Sequence, residues 1–122
     1  MEEAWVRLPA APGRPAAAYF TVEGGPAPTT LHRVTADYAV RAEMHESMAG
    51  RGGSMSMRAV ASVPVPAGRA VRFEPGGLHV MLFDLDARAK PGATTMLTFV
   101  FDGNRRLYRK AWIVGPGQDA PY

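Results

Sequence analysis

The sequence predicts an all-β protein, an antiparallel β-sandwich, from three observations. Apolar and polar residues alternate over short runs along the whole 122-residue chain. Eight or nine such runs recur at a spacing of about 8–12 residues with turn residues between them, which is the pattern of a sandwich or barrel. Finally, 13 Gly and 11 Pro interrupt the chain too often to leave room for long helices. With 47% hydrophobic and 20% charged residues the chain has enough apolar surface for its own core, and residues 1–122 read as a single domain.

Each element has its own justification. Residues 4–8 (AWVRL) alternate and stop at Pro9, after which the Pro/Gly-rich stretch 9–15 reads as a loop. Residues 17–22 (AAYFTV) form the next strand, closed by Gly24, Gly25, Pro26 and Pro28. Strands at 31–35 and 39–45 follow, then a flexible Gly-rich link at 49–54 (AGRGGS) and a strand at 55–60. Residues 64–68 read as a turn into a strand at 70–73, and Glu74-Pro75-Gly76-Gly77 as a turn into residues 78–85. The last two strands, 94–101 and 106–114, are joined by Asp102-Gly103-Asn104, a hairpin signal because Gly and Asn accept positive φ. The best helical candidate, 85–90 (LDARAK), is cut off by Pro91-Gly92 after about one turn.

Charge excludes more than it suggests. A balance of 14 basic against 11 acidic residues gives +3, which raises nucleic acid as a partner. Apart from Arg105, Arg106, Arg109 and Lys110, however, the basic residues stand singly, with no aromatic–basic interleaving of the kind that stacks bases. Nucleic acid is therefore not expected. No run approaches the ~20 apolar residues of a membrane span, so membrane insertion is not expected either. Residues 1–4 are acidic with no apolar segment behind them, so no signal peptide is read there.

The absence of Cys excludes disulfides, thiolate zinc sites, Cys nucleophiles and His₂Cys copper sites. Five of the seven Met (Met44, Met48, Met55, Met57, Met81) fall between residues 44 and 81. In residues 78–83 (LHVMLF), alternation puts Leu78, Val80 and Leu82 on one face and His79, Met81 and Phe83 on the other. Two strand rises separate His79 from Met81 by roughly 6.6 Å, close enough for both side chains to converge on one atom. Met55 and Met57 likewise share a face, and His45 supplies a second imidazole if the Gly-rich link folds its strand back toward Met57. Met44 and Met48 are expected to line or cover that cluster, and His32 to be a surface residue. Soft, uncharged thioethers with imidazoles and no carboxylate suit Cu(I) far better than Zn²⁺, Mg²⁺ or Ca²⁺. Any single Met can instead be core filler, and the cluster can instead be an adaptable contact surface.

Enzymatic classes find no foothold. His45-Glu46 begins like H-E-x-x-H, but residue 49 is Ala. No G-x-S-x-G, P-loop or G-x-G-x-x-G occurs. A binding and transfer protein is expected rather than an enzyme.

The order His45 … Met55-Ser56-Met57-Arg58 … Val65-Pro66-Ala67-Gly68 … Glu74-Pro75-Gly76-Gly77-Leu78-His79-Val80-Met81-Leu82 resembles the PCuAC-type periplasmic copper chaperones, whose pattern is a His, a downstream Met and a His-x-Met. The likeness extends to residues 4–7, 16–22 and 97–101. It implies a cupredoxin-like or immunoglobulin-like β-sandwich that binds one Cu(I) per chain through His45, Met57, His79 and Met81. It further implies a monomer outside the cytoplasmic membrane that passes copper to the copper subunit of cytochrome c oxidase or to another copper-transfer protein. A copper buffer or resistance protein would share this chemistry. The spacing from His45 to Met57 is one residue longer than the family pattern, which leaves Met55 as the alternative ligand; Met57 is favoured because it keeps its register with Arg58 and His79. The family's His- and Met-rich tail has no counterpart in residues 117–122 (GQDAPY), so no tail site is expected. His45, on the side of the Gly-rich link, is expected to be the first ligand to detach.

Overall fold

The computed structural model describes residues 2–11, 13–49 and 55–121. Its strands are β1 (Glu2–Arg7), β2 (Ala16–Glu23), β3 (Thr29–Ala36), β4 (Ala39–Ala49), β5 (Met55–Ala59), β6 (Val63–Val65), β7 (Ala70–Phe73), β8 (Leu78–Leu85), β9 (Thr94–Phe101) and β10 (Arg105–Val114). They hydrogen-bond in the order β5-β4-β8-β7-β2-β1-β10-β9-β3-β6, with β2 also pairing directly with β8. Antiparallel pairs dominate. The two parallel contacts are β1 with β10, where Trp5 stands opposite Trp112, and β7 with β8 at Phe73 and Leu78.

The sheet folds over into two facing layers. Alternation sends Met44 of β4, Val80 and Leu82 of β8, and Ala16, Ala18, Phe20 and Val22 of β2 inward from one layer. Leu31 and Val34 of β3, Leu97, Phe99 and Phe101 of β9, and Ile113 of β10 enter the same core from the other. Phe20 joins the layers: its ring meets Phe99 edge-on at 4.8 Å between centroids and stacks on Phe73 at 4.4 Å. The all-β sandwich predicted from the alternating runs is thus the observed architecture.

Local differences have physical reasons. Strand β4 continues past the expected end at residue 45 to Ala49, because β5 folds back along it and pairs Ala49 with Met55. A short strand, β6, stands where a turn was expected to begin at Pro64. Val63 and Val65 are buried, and Pro64, which cannot donate to a ladder, faces Thr30 on a strand at the edge of the sheet. The helical candidate at 85–90 is not a helix: Leu85 completes β8 as the strand reading had it, and the Asp86 carboxylate accepts the Arg88 backbone N–H at 2.8 Å to make a turn. The loop at Asp102–Asn104 behaves as the sequence suggests, with φ of 69° at Gly103 and 60° at Asn104, and returns the chain so that Arg105 pairs with Phe101. Of the Gly-rich link, residues 50–54 lie outside the described residues.

Candidate metal centre

The register between β4 and β8 does most of the assembly. It sets His45 opposite His79, Met44 opposite Val80 and Glu43 opposite Met81. Since Met44, Val80 and Leu82 are buried in the core, the alternate residues Glu43, His45, His79 and Met81 project from the outer face of the same pair of strands. The two imidazole centroids are 6.0 Å apart. Strand β5 then brings Met57 opposite Ser47, on the face that carries His45. The Met57 Sδ lies 3.3 Å from His79 Nε2. On the opposite face the hairpin is tied by Arg58, which donates through Nε and Nη2 to Glu46 Oε1 at 3.1 and 2.8 Å.

Three of the four ring nitrogens of His45 and His79 have defined partners. His79 Nδ1 is 3.0 Å from the Gly77 carbonyl, which can only accept, so the neutral ring carries its proton on Nδ1 and turns the Nε2 lone pair toward the sulfur. The same carbonyl accepts the Ser47 backbone N–H at 3.1 Å and so fastens β4 to the turn before β8. His45 is arranged the other way round. Its Nε2 lies 3.1 Å from Glu43 Oε1, again an acceptor only. Its Nδ1 is buried and has no hydrogen-bond partner among the described residues. The hydrogen bond from His45, aided by the Arg41 guanidinium, holds the Glu43 carboxyl below the usual carboxylate range. Arg41 also forms an ion pair with Glu43 and lies over the Phe83 ring at 4.0 Å.

The donor set fits a soft ion. Nitrogen and sulfur ligands at roughly 2.0 and 2.3 Å from one tetrahedral metal stand about 3.5 Å apart, close to the 3.3 Å between His79 Nε2 and Met57 Sδ. Among the described residues no three His, Cys, Asp or Glu side chains are grouped to hold a metal. A site here is complete only if thioethers count as ligands, and that favours copper(I) over hard cations.

Exposure grades the residues. His79 is 5% exposed, whereas Met57, on the edge strand β5, is 59% exposed. Met81 is half-buried on the cluster face, two positions along from His79. Met55 pairs with Ala49 through its backbone, farther along the hairpin than Met57, and its side chain lies outside the described residues. Two expectations are corrected. Met44 does not line the cluster, because strand parity sends it into the core, and Met48 follows the same parity away from the cluster. His45 does not lie on a loose segment as expected, because it sits inside β4 between two paired strands and is gripped by Glu43. His32 is a surface residue on β3, paired with Asp102 at 2.6 Å. Sequence reasoning missed Glu43 and the Gly77 carbonyl. The signal for Glu43 was its place two residues before His45, on the same strand face.

Residues 1–112 match the family described as "Putative lipoprotein LpqE-like". The "Putative lipoprotein Lxx21020" of Leifsonia xyli subsp. xyli is 29% identical over 105 residues, covering 85% of this chain; the chain spans 63% of that relative's length. Among solved structures, the copper-bound PCuAC domain from PmoF2 is similar with a TM-score of 0.75 and 23% identity over 94% of this chain and 91% of that one. The apo PCuAC domain from PmoF1 is similar with a TM-score of 0.75 and 24% identity over 94% and 92%. The Cu(I) form of DR1885 from Deinococcus radiodurans has a TM-score of 0.71 and 26% identity over 91% of this chain and 74% of that one. The two PCuAC domains share the cupredoxin-like β fold of this chain.

Proposed function

The chain belongs to the LpqE-like family, and on that premise and the geometry of the His/Met cluster we propose that it is a copper(I) chaperone, not an enzyme, which binds one Cu(I) through His45, Met57, His79 and Met81. The observation that carries this is a set of unshared lone pairs on one face: His79 Nε2 faces Met57 Sδ at 3.3 Å, and on the neighbouring strand the buried Nδ1 of His45 has no hydrogen-bond partner among the described residues. Two lone pairs at that distance repel slightly unless a proton or a cation lies between them. A neutral imidazole offers no proton at Nε2 once Nδ1 holds it. The Cu(I) form of DR1885, 26% identical, supports copper as that cation.

All four donors are neutral, so bound copper keeps its single positive charge and can be passed on without proton uptake by the ligands. Transfer starts at Met57, the most exposed donor, from which an incoming thioether, thiolate or imidazole reaches the metal first. The place of work is outside the cytoplasmic membrane, in keeping with the lipoprotein description of the family. A Cys-free ligand set survives that oxidising compartment. The receiver is the copper subunit of cytochrome c oxidase or another copper-transfer protein.

Titration of the purified protein with Cu(I), followed by X-ray absorption, tests this reading. One equivalent with a mixed sulfur and nitrogen shell is expected, and His79→Ala should abolish tight binding. An all-nitrogen/oxygen shell would remove Met57 and Met81 from the site, and no binding at all would leave the cluster as a contact surface.

A further inference from the structure

We propose that Glu43 is a positioning residue that presents His45 to copper through Nδ1, so that the two imidazoles bind one ion through different ring nitrogens, Nδ1 of His45 and Nε2 of His79. The inference rests on the copper reading above and specifies how that site is oriented. Three contacts carry it. First, Glu43 Oε1 takes the Nε2 side of His45 at 3.1 Å. A carboxylate has no proton to give near neutral pH, so the neutral ring holds its hydrogen there and keeps its lone pair on Nδ1. Second, that Nδ1 is buried and has no hydrogen-bond partner among the described residues. A buried acceptor without a partner is a cost to the fold, and an ion bound at that nitrogen would offset it. Third, Glu43 is itself held. The Arg41 guanidinium pairs with its other oxygen and rests on the Phe83 ring, so the carboxylate is the middle of a chain from Phe83 through Arg41 and Glu43 to His45.

His79 obtains the complementary orientation from a different source, the backbone carbonyl of Gly77 on its Nδ1. Each ring therefore has one nitrogen committed to an oxygen acceptor and keeps its lone pair on the other, with opposite assignments on directly opposed strand positions. Two cross-strand rings with centroids 6.0 Å apart can aim at a common point this way without either strand moving. Hydrogen-bonded partners of this kind fix ring orientation and tautomer at metal sites, and their removal typically weakens binding by 10–100-fold.

The test uses ¹⁵N spectra of the imidazole rings in the apo protein and after one equivalent of Cu(I), which is diamagnetic, in wild type, Glu43→Leu and Glu43→Gln. In apo wild type His45 should hold its proton on Nε2 and His79 on Nδ1. Copper should then shift Nδ1 of His45 and Nε2 of His79. Glu43→Leu should weaken Cu(I) binding about tenfold or more and let His45 bind through either nitrogen. Glu43→Gln, whose amide oxygen still accepts from Nε2–H, should restore Nδ1 ligation and most of the affinity. His79 signals that stay unchanged in both variants show that the strands still pair. Coordination of His45 through Nε2 in wild type, or a Glu43→Leu variant with unaltered affinity and ring nitrogen, would overturn the proposal while leaving the copper site standing. Failure of the wild type to bind Cu(I), with the apo tautomers as stated, would instead sink the copper reading.

Discussion

Replacing Met57 with Leu isolates one thioether. The two side chains are close in volume, so the substitution removes a sulfur and little else. Met57 is 59% exposed and lies on the edge strand β5, away from the core. Surface changes of that type move stability by no more than about 0.5 kcal/mol. Apo unfolding should therefore be unchanged to within roughly 2–4 °C. Copper affinity should respond very differently, because the sulfur that faces His79 Nε2 at 3.3 Å is gone and only water can take its place. We expect a loss of at least tenfold, about 1.4 kcal/mol. Competition with a chromophoric Cu(I) chelator under reducing, anaerobic conditions reads both the affinity and the rate of release. Met55→Leu serves as the internal control and should leave both within about twofold, far below the tenfold that corresponds to 1.4 kcal/mol. Equal affinities for wild type and Met57→Leu would refute the assignment, and a larger loss in Met55→Leu would move the ligand two positions along the hairpin.

Three further outcomes are expected. Protons compete with copper for both imidazoles, so affinity should fall as pH is lowered, and equal chelator competition at neutral pH and at about pH 5 would argue against His ligands. Phe99→Ala, which removes a fully buried ring packed edge-on against Phe20 across the two layers, should cost about 3–5 kcal/mol in urea unfolding. Asp86 is held below the ordinary Asp range by hydrogen bonds from the Arg88 side chain and backbone N–H; its stabilisation is present above that range and lost as pH falls through the depressed value, so Asp86→Asn should lower stability slightly in the neutral region, flatten the acid limb of a stability–pH curve and leave the acid extreme unaltered.

How far the sequence spoke depends on whether the determining interaction was local. Strand identity was legible because alternation and turn chemistry are local: the Asp102-Gly103-Asn104 loop needs positive φ, and Gly103 and Asn104 adopt it. The face shared by His79 and Met81 was legible for the same reason. The parallel pairing of Trp5 with Trp112 was not, since it joins the first strand to the last and leaves no mark on the residues between. Strand β6 was missed because Pro64 signals a turn locally, and only its place at the sheet edge makes it tolerable in a strand. Met44 was misassigned by proximity along the chain, although strand parity alone, applied from His45, sends it to the other face. Glu43 was overlooked as a carboxylate near a soft site, where it serves as an acceptor for an imidazole N–H.

The placement of the four candidate ligands follows from which strands are paired on both sides. Strands β4 and β8 lie inside the sheet, and the residues alternating with His45, His79 and Met81 are core residues, so moving any of these three donors by an ångström would disturb Met44, Val80 or Leu82. Met57 belongs to β5, which has a neighbour on one side only, and its side chain has three rotatable bonds and no core partner to displace. On the proposed reading, rotation of that single side chain would open a bound copper ion to an incoming donor while two imidazoles and one thioether still held it. The same asymmetry separates stability from cargo: the core beneath β4 and β8 is closed by Phe20, Phe73 and Phe99 on the far side of the sheet from the His/Met cluster. The fold is thus expected to form without copper, and copper to raise the melting temperature by mass action alone, about 2.7 kcal/mol of added stability at a free concentration 100 times the dissociation constant. Calorimetry of the apo and loaded protein decides this. An apo protein without a cooperative transition would mean that the metal builds the site rather than occupying it.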